Sequence, residues 1–562
     1  MEIGIDVGGT YTDAVLINQG QVQASVKEPT RHEDIFGSLV RALDGILPKA
    51  QVSHVQRVTI STTLITNLIA EEKQEPVALI LLPGPGVCLA QWDFHTLTKE
   101  VKGIVDFRGQ IREEIALSEL EVACREIESK GYERVAVVSK FSVRNPALER
   151  AVAERIQANY PYWQVEMGHK VGGELNFPRR VATTLLTAAT REPFAQFAAA
   201  VEGAMKQRGL ACPVYVLKAD GGTYLLRDAI LRPVETIFSG PAASVIGSQA
   251  LLGGEGNAIV IDTGGTTSDL ALILDGEPLH SDKGVQVGPY ATQVHAFAVH
   301  SVPVGGDSWI EVEQGELIIR PFRQGSAACM GGPGPTPTDA LRLLGHIELG
   351  DVTLAQQALL PLARALQITE IEVAQLIADK VAKMINHAIE QMFNRWKLEP
   401  AYRLWELLQP SPERPKVYLG VGGGGSLAKL AALAAEVTAV VPEHGMVANA
   451  LGAALAQPTF ACHLRADTQF HTYQIQQDGT FGSLPEKNFG WPEAQSLACN
   501  WLRQKALEHG ILVDDESMEV QYQELFNIVR DYDTVGRIYN LHMQTKRRKV
   551  TLQQGGDHIE RT

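Results

Sequence analysis

The 562-residue sequence has few cysteines, and they are widely spaced. None of its six cysteines forms a C-x-x-C pair, which excludes the common zinc and iron–sulfur spacings and favours free thiols in a reducing cytoplasm. Long hydrophobic runs are also missing. The longest apolar stretch, residues 77–90, is interrupted by Pro and Gly at positions 83–86, and a membrane span needs roughly 20 apolar residues. The amino terminus has no basic segment followed by an apolar run, so we expect a cytoplasmic protein that is neither exported nor membrane-bound.

Positive charge is scarce as well. Lys and Arg total 50 against 65 for Asp and Glu, which gives a formal net charge of −15 and disfavours nucleic acid and anionic membranes as partners. No G-K-[ST] motif is present, so a P-loop nucleotide site is excluded. Apolar residues make up 45% of the chain, enough for folded cores, and the length predicts about three or four domains.

One internal repeat stands out. Residues 5–17 (IDVGGTYTDAVLI) align without gaps on residues 261–273 (IDTGGTTSDLALI), with eight identical positions. In each copy an apolar run with strand propensity leads to an Asp and a Gly-Gly-Thr turn, and a second apolar run follows. The copies are too far apart for a solenoid period. They predict two homologous domains, each opening with a β-hairpin that carries an acid at its end.

Elsewhere the pattern alternates between strands and helices. Strands are predicted at 77–82, 135–139 and 214–217, and helices at 117–130, 146–158 and 369–393. The Pro- and Gly-rich tract 330–338 is predicted to be a loop throughout. The alternation indicates an α/β fold.

The repeated hairpin suits nucleotide phosphates. Glycine pairs Gly8, Gly9 and Gly264, Gly265 let backbone N–H groups approach phosphate oxygens, and threonine hydroxyls beside them add donors. The preceding Asp6 and Asp262 are candidates to hold Mg²⁺ or to orient the attacking group. The plainer interpretation is a tight hairpin whose Asp caps the turn. Duplication of the same residue types favours the functional interpretation.

A third glycine cluster, residues 420–426, follows a predicted strand and precedes a predicted helix. Gly420, Gly422 and Gly425 satisfy G-x-G-x-x-G, and Glu443 lies near the position of a ribose-binding acid, so a Rossmann dinucleotide site is an alternative. The cluster stands late in the chain, after both phosphate hairpins, which fits an adenosine-binding turn better. Close packing of helix on strand is a third interpretation.

Two Asp-x-Gly-Gly-Thr hairpins with a later glycine turn resemble the superfamily of actin, heat-shock chaperone ATPases and sugar kinases. Within it, the chain resembles the A-type subunit of the ATP-dependent hydantoinase/5-oxoprolinase family. The matching segments run in family order from residue 3 to about 457: Gly4–Asp13, Thr62–Asn67, Gly103–Gly109, Phe141–Pro146, Ser239–Gly247, Asp262–Asp269, Gly305–Ser308 and Pro337–Asp339.

This resemblance implies an α/β fold with two duplicated, ribonuclease H-like ATPase domains of the actin and sugar-kinase type around a nucleotide cleft. We expect the first domain at residues 1–238 and the second, with the adenosine motif, at 239–460. Residues 461–562 are expected to form a small C-terminal α/β segment that packs back on the first domain. Helices after Ser239 and after Met446 would connect the two domains as a hinge.

The resemblance also assigns residues. Asp6 and Asp262 would flank Mg-ATP as metal ligands and catalytic acids. The expected phosphate contacts are Gly8, Gly9, Thr10, Thr12, Gly264, Gly265, Thr266 and Thr267, and the expected adenosine contacts are Gly422, Gly423 and Gly424. The expected substrate contacts are Thr62, Thr63, Asn67, Gly306 and Asp307. For Asn67 a polar helix cap, and for Asp307 an ordinary Asp turn, are the alternatives.

A metal shared by His295 and His300 is disfavoured, because residues five apart on a regular strand point to opposite faces. The family often carries an acid two residues before the second histidine, where this chain has Ala298. The segment 320–329 also departs from the family pattern, which leaves the substrate open.

The implied activity is Mg²⁺- and ATP-dependent hydrolysis of a small cyclic amide or imide, of hydantoin or 5-oxoproline type, through phosphorylation of the amide oxygen. The alternatives are an ATP-using subunit of a ketone carboxylase, a small-molecule kinase, or a nucleotide-gated binding protein without small-molecule turnover. A B-type hydantoinase subunit is the expected partner, and a homo-oligomer is left open.

Overall fold

The computed structural model describes residues 1–47, 52–253, 256–281, 284–397, 414–476, 480–485, 489–546 and 552. Strands and helices alternate along these ranges, and the predicted α/β class is confirmed. No helix within them combines the length and apolar composition needed to cross a membrane.

The strands, in chain order, are β1 Glu2–Val7, β2 Tyr11–Asn18, β3 Gln21–Pro29, β4 Arg57–Thr62, β5 Ala78–Leu82, β6 Thr98–Glu100, β7 Ile104–Val105, β8 Ile111–Glu113, β9 Arg134–Ser139, β10 Gln164–Met167, β11 Val214–Leu217, β12 Gly222–Leu225, β13 Ala258–Thr263, β14 Ser268–Leu274, β15 Glu277–Pro278, β16 Gln286–Val287, β17 Tyr290–Ala291, β18 Val299–Val302, β19 Ile310–Glu313, β20 Glu316–Ile319, β21 Val417–Val421, β22 Thr438–Val440, β23 Gln457–Pro458, β24 Ala461–Asp467, β25 Thr472–Ile475, β26 Thr480–Ser483, β27 Met518–Arg530 and β28 Asp533–Thr545.

The helices of the described ranges are α1 Ile35–Ile46, α2 Leu64–Ala70, α3 Leu117–Ser129, α4 Ala147–Asn159, α5 Gly168–Val171, α6 Phe177–Gln207, α7 Leu226–Ala229, α8 Ser239–Leu251, α9 Pro337–Leu343, α10 Val352–Leu366, α11 Glu370–Lys397, α12 Leu427–Ala434, α13 Ala448–Leu455 and α14 Trp491–Glu508.

The first repeat lies in a seven-stranded sheet of order β23-β12-β11-β4-β1-β2-β3. β1 pairs antiparallel with β2 and parallel with β4, and β4 pairs parallel with β11. Fully buried Ile3 and Ile5 of β1 pack with apolar residues of α1 and α6 in one core. Burial of each such side chain contributes roughly 1.5 to 3 kcal/mol. This core fixes the position of the first acid-bearing hairpin.

The second repeat builds the same arrangement in another sheet. β13 pairs antiparallel with β14 and parallel with β21, in the order β15-β14-β13-β21-β22, and β18 also pairs with β14. The long helix α11, predicted at 369–393, buries Val373, Ile377, Val381 and Ile385 in this core. The duplicated hairpin therefore has the same structural context in both halves of the chain.

Between β4 and α6 the chain forms a separate parallel sheet of order β10-β9-β5-β6. Helices α3 and α4 supply Leu120, Ile127 and Val152 to its core, together with Trp163. The strands at 78–82 and 134–139 and both helices agree with the sequence prediction.

Helices α8 and α13 connect the two repeats by direct backbone contact. A Cβ on Gly247 would lie 2.0 Å from the carbonyl oxygen of Ala448, and one on Gly452 would lie 1.8 Å from that of Ala243. A Cβ on Gly4 of β1 would lie 1.9 Å from the carbonyl oxygen of Ala450. Only glycine permits these approaches, so α13 is held against both β1 and α8.

The strands between Ala461 and Thr545 form a five-stranded antiparallel sheet of order β26-β25-β24-β28-β27, which α14 covers with Ala494, Ala498 and Leu502. Just before this sheet, β23 pairs with β12 of the first sheet. We keep the domain boundaries at residues 238 and 460 as a proposal, with Ser239 beginning α8 and Ala461 beginning β24.

The prediction of a loop through residue 338 is wrong at its end, because α9 begins at Pro337. Thr336 and Asp339 form a capping box, in which the Asp339 carboxylate accepts from the Thr336 N–H at 3.0 Å. Proline is compatible with the first turn of a helix, where its missing N–H has no helical acceptor.

Candidate active site

Two pairs of aspartates mark the ends of the repeated hairpins. Asp6 lies opposite Asp13 in the β1–β2 pair, and Asp262 lies opposite Asp269 in the β13–β14 pair. Helix α13 links the two hairpins, because its Asn449 donates to Asp6 and its backbone contacts α8 at Ala448 and Gly452. Burial chiefly raises the pKa of Asp262, and the charges of Asp269 and Asp6 add to the rise. The structure therefore brings the two acid-bearing hairpins together.

Asp6 is a buried carboxylate with two donors. The Ser61 hydroxyl donates to Oδ1 at 2.6 Å, and the Asn449 amide donates to Oδ2 at 3.3 Å. Loss of water around the buried group raises its pKa to about 6, the Asp13 charge adds to that rise, and the two donors oppose it. Since Ser61 comes from β4 and Asn449 from α13, two segments that are distant in sequence hold this acid in place.

Asp262 is half-buried, and the Ser244 side chain of α8 lies beside its carboxyl group, where it opposes a rise in pKa. The surrounding protein displaces water and raises its pKa to about 7, and the charges of Asp269 and Asp6 add to the rise. Near neutral pH this group is poised between its two protonation states. Such a shift in a cleft is typical of functional carboxyls.

Lys27 on β3 is a cation beside these acids. Its Nζ lies 2.6 Å from Asp13 Oδ2 and 3.4 Å from the carbonyl oxygen of Met446. Its charge also lowers the pKa of Asp6 and of Asp262. The ammonium thus partly offsets a concentration of negative charge that favours a bound cation.

The two glycine turns close with the same backbone hydrogen bond. Gly8 N donates to the Tyr11 carbonyl at 3.0 Å, and Gly264 N donates to that of Thr267 at 2.9 Å. Gly9 and Gly264 are exposed, so the backbone of both turns is open to a ligand.

The predicted phosphate-binding threonines divide into two groups. Thr10 and Thr266 are half-buried and Thr267 is exposed, so these three lie where a ligand can approach the turns. Thr12 is fully buried, and its hydroxyl shares a 2.9 Å hydrogen bond with Thr30. The Thr12 hydroxyl is therefore part of the hairpin's interior and is separated from the exposed turn.

The third glycine turn contacts the second hairpin directly. Gly424 N donates to the Thr263 carbonyl at 2.8 Å, and Gly422 has a φ of +78°. A Cβ on Gly422 would lie 2.3 Å from Asp262 Oδ1, whereas one on Gly423 would meet no atom within 4 Å. Gly422 thus permits contact with the acid, and Gly423 presents open backbone.

Gly306 and Asp307, predicted as substrate contacts, are attached to the same hairpin. Gly306 N donates to the Gly264 carbonyl at 3.0 Å, and Asp307 N donates to that of Gly265 at 2.7 Å. Burial raises the pKa of Asp307, whose Oδ1 accepts from Ala327 N at 3.2 Å. The segment therefore supports the turn and lies at its edge.

The other predicted substrate contacts border the first hairpin. Thr62 is buried and exchanges two hydrogen bonds with Ser239 of α8, at 3.1 and 2.8 Å. Asn67 Nδ2 donates to Thr63 Oγ1 at 3.2 Å and lies 3.6 Å from the position of a Cβ on Gly9. Thr63 and Asn67 thus lie beside the turn, and Thr62 joins β4 to α8.

The carboxylate oxygens at this site suit a Mg²⁺ ion that is coordinated mainly by the phosphates of a bound nucleotide. No three His, Cys, Asp or Glu side chains in the described ranges are close enough to hold a metal ion by themselves. Mg²⁺ usually keeps several waters and binds one or two carboxylates together with substrate phosphates. Asp6 and Asp262 match that requirement, since both are oxygen donors crowded by like charge.

His295 and His300 lie in different environments. His295 Nε2 is 2.8 Å from Glu174 Oε1, and both residues line a polar cavity of about 550 Å³ with Lys218 and His463. His300 lies on β18, opposite Leu270. Lys218, the residue that follows β11, lines this cavity. In the first sheet β11 is the direct neighbour of β4, the strand that ends at Thr62.

Several further groups at the acids were not singled out as site residues from the sequence, among them Ser61. Asp13 and Asp269 are identical positions of the repeat, and the register of a hairpin places each opposite its acid. Lys27 and Asn449 carry no comparable signal, because β3 and α13 reach the acids only through tertiary packing.

A family model described as "Hydantoinase/oxoprolinase" matches residues 180–461, and one described as "Hydantoinase/oxoprolinase N-terminal region" matches residues 2–160. The chain belongs to the hydantoinase/oxoprolinase family.

Three curated proteins are similar in sequence. Caprolactamase subunit alpha of Pseudomonas jessenii is 23% identical over 568 residues, covering 92% of this chain and 78% of that protein. Acetophenone carboxylase gamma subunit of Aromatoleum aromaticum is 24% identical, covering 62% of this chain and 53% of that protein. An uncharacterized protein of Methanocaldococcus jannaschii is 24% identical, covering 69% of this chain and 62% of that protein. The chain thus spans less than two thirds of the length of two of these relatives.

Two solved structures share the fold. The ATP-dependent caprolactamase from Pseudomonas jessenii matches with a TM-score of 0.71 at 19% identity, covering 100% of this chain and 89% of that one. Nucleotide-free acetone carboxylase matches with a TM-score of 0.70 at 18% identity, covering 96% of this chain and 87% of that one.

Proposed function

We propose that this chain is the ATP-using subunit of a Mg²⁺-dependent enzyme that hydrolyses a small cyclic amide or imide, of hydantoin or 5-oxoproline type. The proposal depends chiefly on one observation, the meeting of Asp6 and Asp262 beside three exposed glycine turns. Backbone N–H groups in such turns suit phosphate oxygens, and crowded carboxylates suit the accompanying cation.

Each part of the site has a distinct task in this proposal. The turns at Gly8–Gly9 and Gly264–Gly265 would cradle phosphate oxygens, and Gly422–Gly424 would border the adenosine. Asp6, held by Ser61 and Asn449, would fix the position of Mg²⁺. Mg²⁺, when bound, neutralises phosphate charge as the phosphoryl group is transferred. Asp262, with a pKa of about 7, would orient the attacking oxygen and accept a proton if one is released.

Phosphorylation supplies the activation that an amide lacks. The amide oxygen would attack the γ-phosphorus of ATP and release ADP, and loss of the amide N–H proton leaves an imidate that is phosphorylated on oxygen. Water then adds to the imidate carbon, and the C–N bond of the ring breaks as the nitrogen takes up a proton, which gives an amine and an acyl phosphate. A second water hydrolyses the acyl phosphate to a carboxylate and inorganic phosphate. A polar cavity one strand from Thr62 has about 550 Å³ of room for a small acceptor.

A ketone carboxylase subunit is the second candidate, because the caprolactamase and acetone carboxylase structures match this chain almost equally well. Phosphorylation of a carbonyl oxygen serves both reactions. The relatives are named as subunits, so we also propose that a partner chain of the B type completes the reaction.

Phosphate release from Mg-ATP tests the proposal. Hydantoin, 5-oxoproline and caprolactam would be compared with acetone and acetophenone plus bicarbonate, each with and without a candidate B-type subunit. Stimulation by a cyclic amide, with an opened ring and free phosphate as products, is the expected result.

Stimulation by a ketone and bicarbonate alone would favour the carboxylase. A stable phosphorylated product would indicate a kinase, and slow turnover that only a protein partner alters would indicate a nucleotide-gated binding protein. Absence of Mg-ATP binding would contradict all four.

A further inference from the structure

A second cavity, of about 500 Å³, lies away from the glycine turns, between the inserted parallel sheet and the C-terminal sheet. The segments 108–110 and 144–147 form one wall, and residues of β24 and β25 form the other. Its first wall belongs to Gly103–Gly109 and Phe141–Pro146, two segments of the family resemblance to which the proposed function assigns no task.

The cavity concentrates positive charge in an acidic protein. The described charged residues that line it are four arginines, Arg108, Arg144, Arg150 and Arg465, and a single carboxylate, Asp467. The chain as a whole carries a formal charge of −15. A local excess of this sign and size therefore points to an anionic ligand.

Two of these guanidinium groups are largely buried without a full set of partners. Arg144 Nε and Nη1 and Arg465 Nε are buried nitrogens that have no hydrogen-bond partner in the described structure. The Arg465 side chain is 11% exposed, and its Nη1 lies 3.8 Å from Asp467 Oδ2, beyond hydrogen-bond distance. Asp467 also accepts from Gln469 N at 3.0 Å, so its carboxylate is already engaged.

The two guanidinium groups also repel each other. Burial and the charge of Arg465 lower the pKa of Arg144 to about 9. Buried cations without hydrogen-bond acceptors are costly, and arginine forks match the paired oxygens of phosphate and carboxylate. An anion between Arg144 and Arg465 would supply the missing acceptors and offset the repulsion.

We propose that this cavity is a binding site for a small organic anion bearing phosphate or carboxylate oxygens, with Arg144 and Arg465 as its direct ligands. Arg108 and Arg150 are exposed and contribute charge at the entrance. Half-buried Tyr473, with exposed Phe470 beside it, provides an apolar wall for the body of the ligand. Because Arg144 lies in the loop that follows β9 of the inserted sheet and Arg465 lies on β24 of the C-terminal sheet, the bound anion connects the two parts of the chain. This inference is independent of the proposed catalytic function.

The test measures anion binding by calorimetry and thermal unfolding of the full chain at constant ionic strength, with EDTA present to remove divalent metal. Inorganic phosphate and citrate are the two probes, and chloride is the reference. We expect saturable one-to-one binding of at least one probe, together with a rise in Tm. Binding of phosphate alone identifies a phosphate ester as the ligand class, and binding of citrate alone identifies a polycarboxylate.

Variants locate the site. Arg144→Met and Arg465→Met should each weaken probe binding at least tenfold, and without the probe Arg144→Met should not lower Tm, because it removes a buried unpaired charge. Arg155→Met is the matched control on α4, since Arg155 is exposed and pairs with Glu121 at 3.2 Å. If one arginine variant fails to fold, the other carries the test. Absence of saturable binding of both probes, or unchanged binding in the folded arginine variants, would overturn the proposal.

Discussion

The two repeats share a motif and differ in what surrounds its acid. In the first repeat, Asp6 is buried, receives hydrogen bonds from Ser61 and Asn449, and has Lys27 beside its partner Asp13. In the second repeat, Asp262 is partly exposed and borders the glycine turn at 422–424. Its strand partner Asp269 accepts a hydrogen bond from Ser301.

We relate this difference to the two proposed tasks, cation binding for Asp6 and proton transfer for Asp262. Burial raises the pKa of both acids. Hydrogen bonds from Ser61 and Asn449 limit the rise in the pKa of Asp6 to about 6. The charges of Asp269 and Asp6 add to the rise for Asp262, against the opposing effect of the Ser244 side chain, and its pKa reaches about 7. A restrained, ionised carboxylate suits a fixed cation, and one near its midpoint suits proton transfer. In the proposed function, the two copies of the motif would therefore have different chemical roles, and the following variants test that comparison.

The largest effect is expected from Asp262→Asn. The amide keeps the shape but cannot take a proton or carry charge, so ATP turnover should fall by roughly a hundredfold or more. Phosphate release measures the change, and Asp93→Asn, at an exposed carboxylate, is the control. Turnover equal to that of the unmodified chain, in a protein that melts normally, would remove Asp262 from the mechanism.

The next largest effect is expected from Gly422→Ala. The new Cβ would clash with Asp262 Oδ1, and the φ of +78° would cost an alanine roughly 1 to 2 kcal/mol. Both Tm and nucleotide affinity should fall. Gly131→Ala is the matched control, because Gly131 lies after α3, has a φ of +76°, and its Cβ would meet no atom within 4 Å. Equal affinities in the two variants would show that the turn does not border the nucleotide.

A smaller effect is expected from Asp6→Asn. Loss of one charge should weaken Mg²⁺-dependent nucleotide binding by roughly tenfold. Affinity for nucleotide without Mg²⁺ should change little. Calorimetric titration measures the nucleotide affinity with and without Mg²⁺. An equal loss of affinity under both conditions would argue for a purely structural role of Asp6.

The smallest effect is a pH dependence of stability in metal-free protein. Both acids have folded pKa values above the ordinary 3.8, so the stability they contribute is present below that value. It is lost as pH rises through about 6 for Asp6 and about 7 for Asp262. The free energy of unfolding should therefore decrease over this range, and denaturant titrations measure it.

The two variants should change different parts of this pH dependence. Asp262→Asn should remove the decrease in the free energy of unfolding between about pH 6 and 7, and each variant should reduce, without abolishing, the decrease between pH 3.8 and about 6. The comparison of the two repeats would lose its electrostatic basis if both variants kept the full slope.

Features of the site could be predicted from the sequence where they depend only on residues close together in the chain. The repeat predicted both hairpins, and hairpin register alone places Asp13 opposite Asp6. The burial of Thr12 was not predictable in this way, because six successive residues of β2, at positions 12–17, are buried on both faces of the strand. Pro337 was misread because proline breaks a helix interior but is accepted in its first turn.

Contacts between distant segments were beyond such reasoning. Lys27 reaches Asp13 through the register of β3, and Asn449 reaches Asp6 because glycines let α13 approach β1. Arg144 and Arg465 meet only when the inserted sheet and the C-terminal sheet pack together. No spacing in the sequence encodes these distances.

By itself, the sequence determined the duplicated hairpins, their acids and the glycine turns, because strand alternation and glycine's backbone freedom act within a few residues. The tertiary structure decided which acids share a site, how far their pKa values rise and where unpaired arginines face each other. The physical reason is that burial and Coulomb interactions depend on distances in space, and chain folding sets those distances between segments that are remote in sequence.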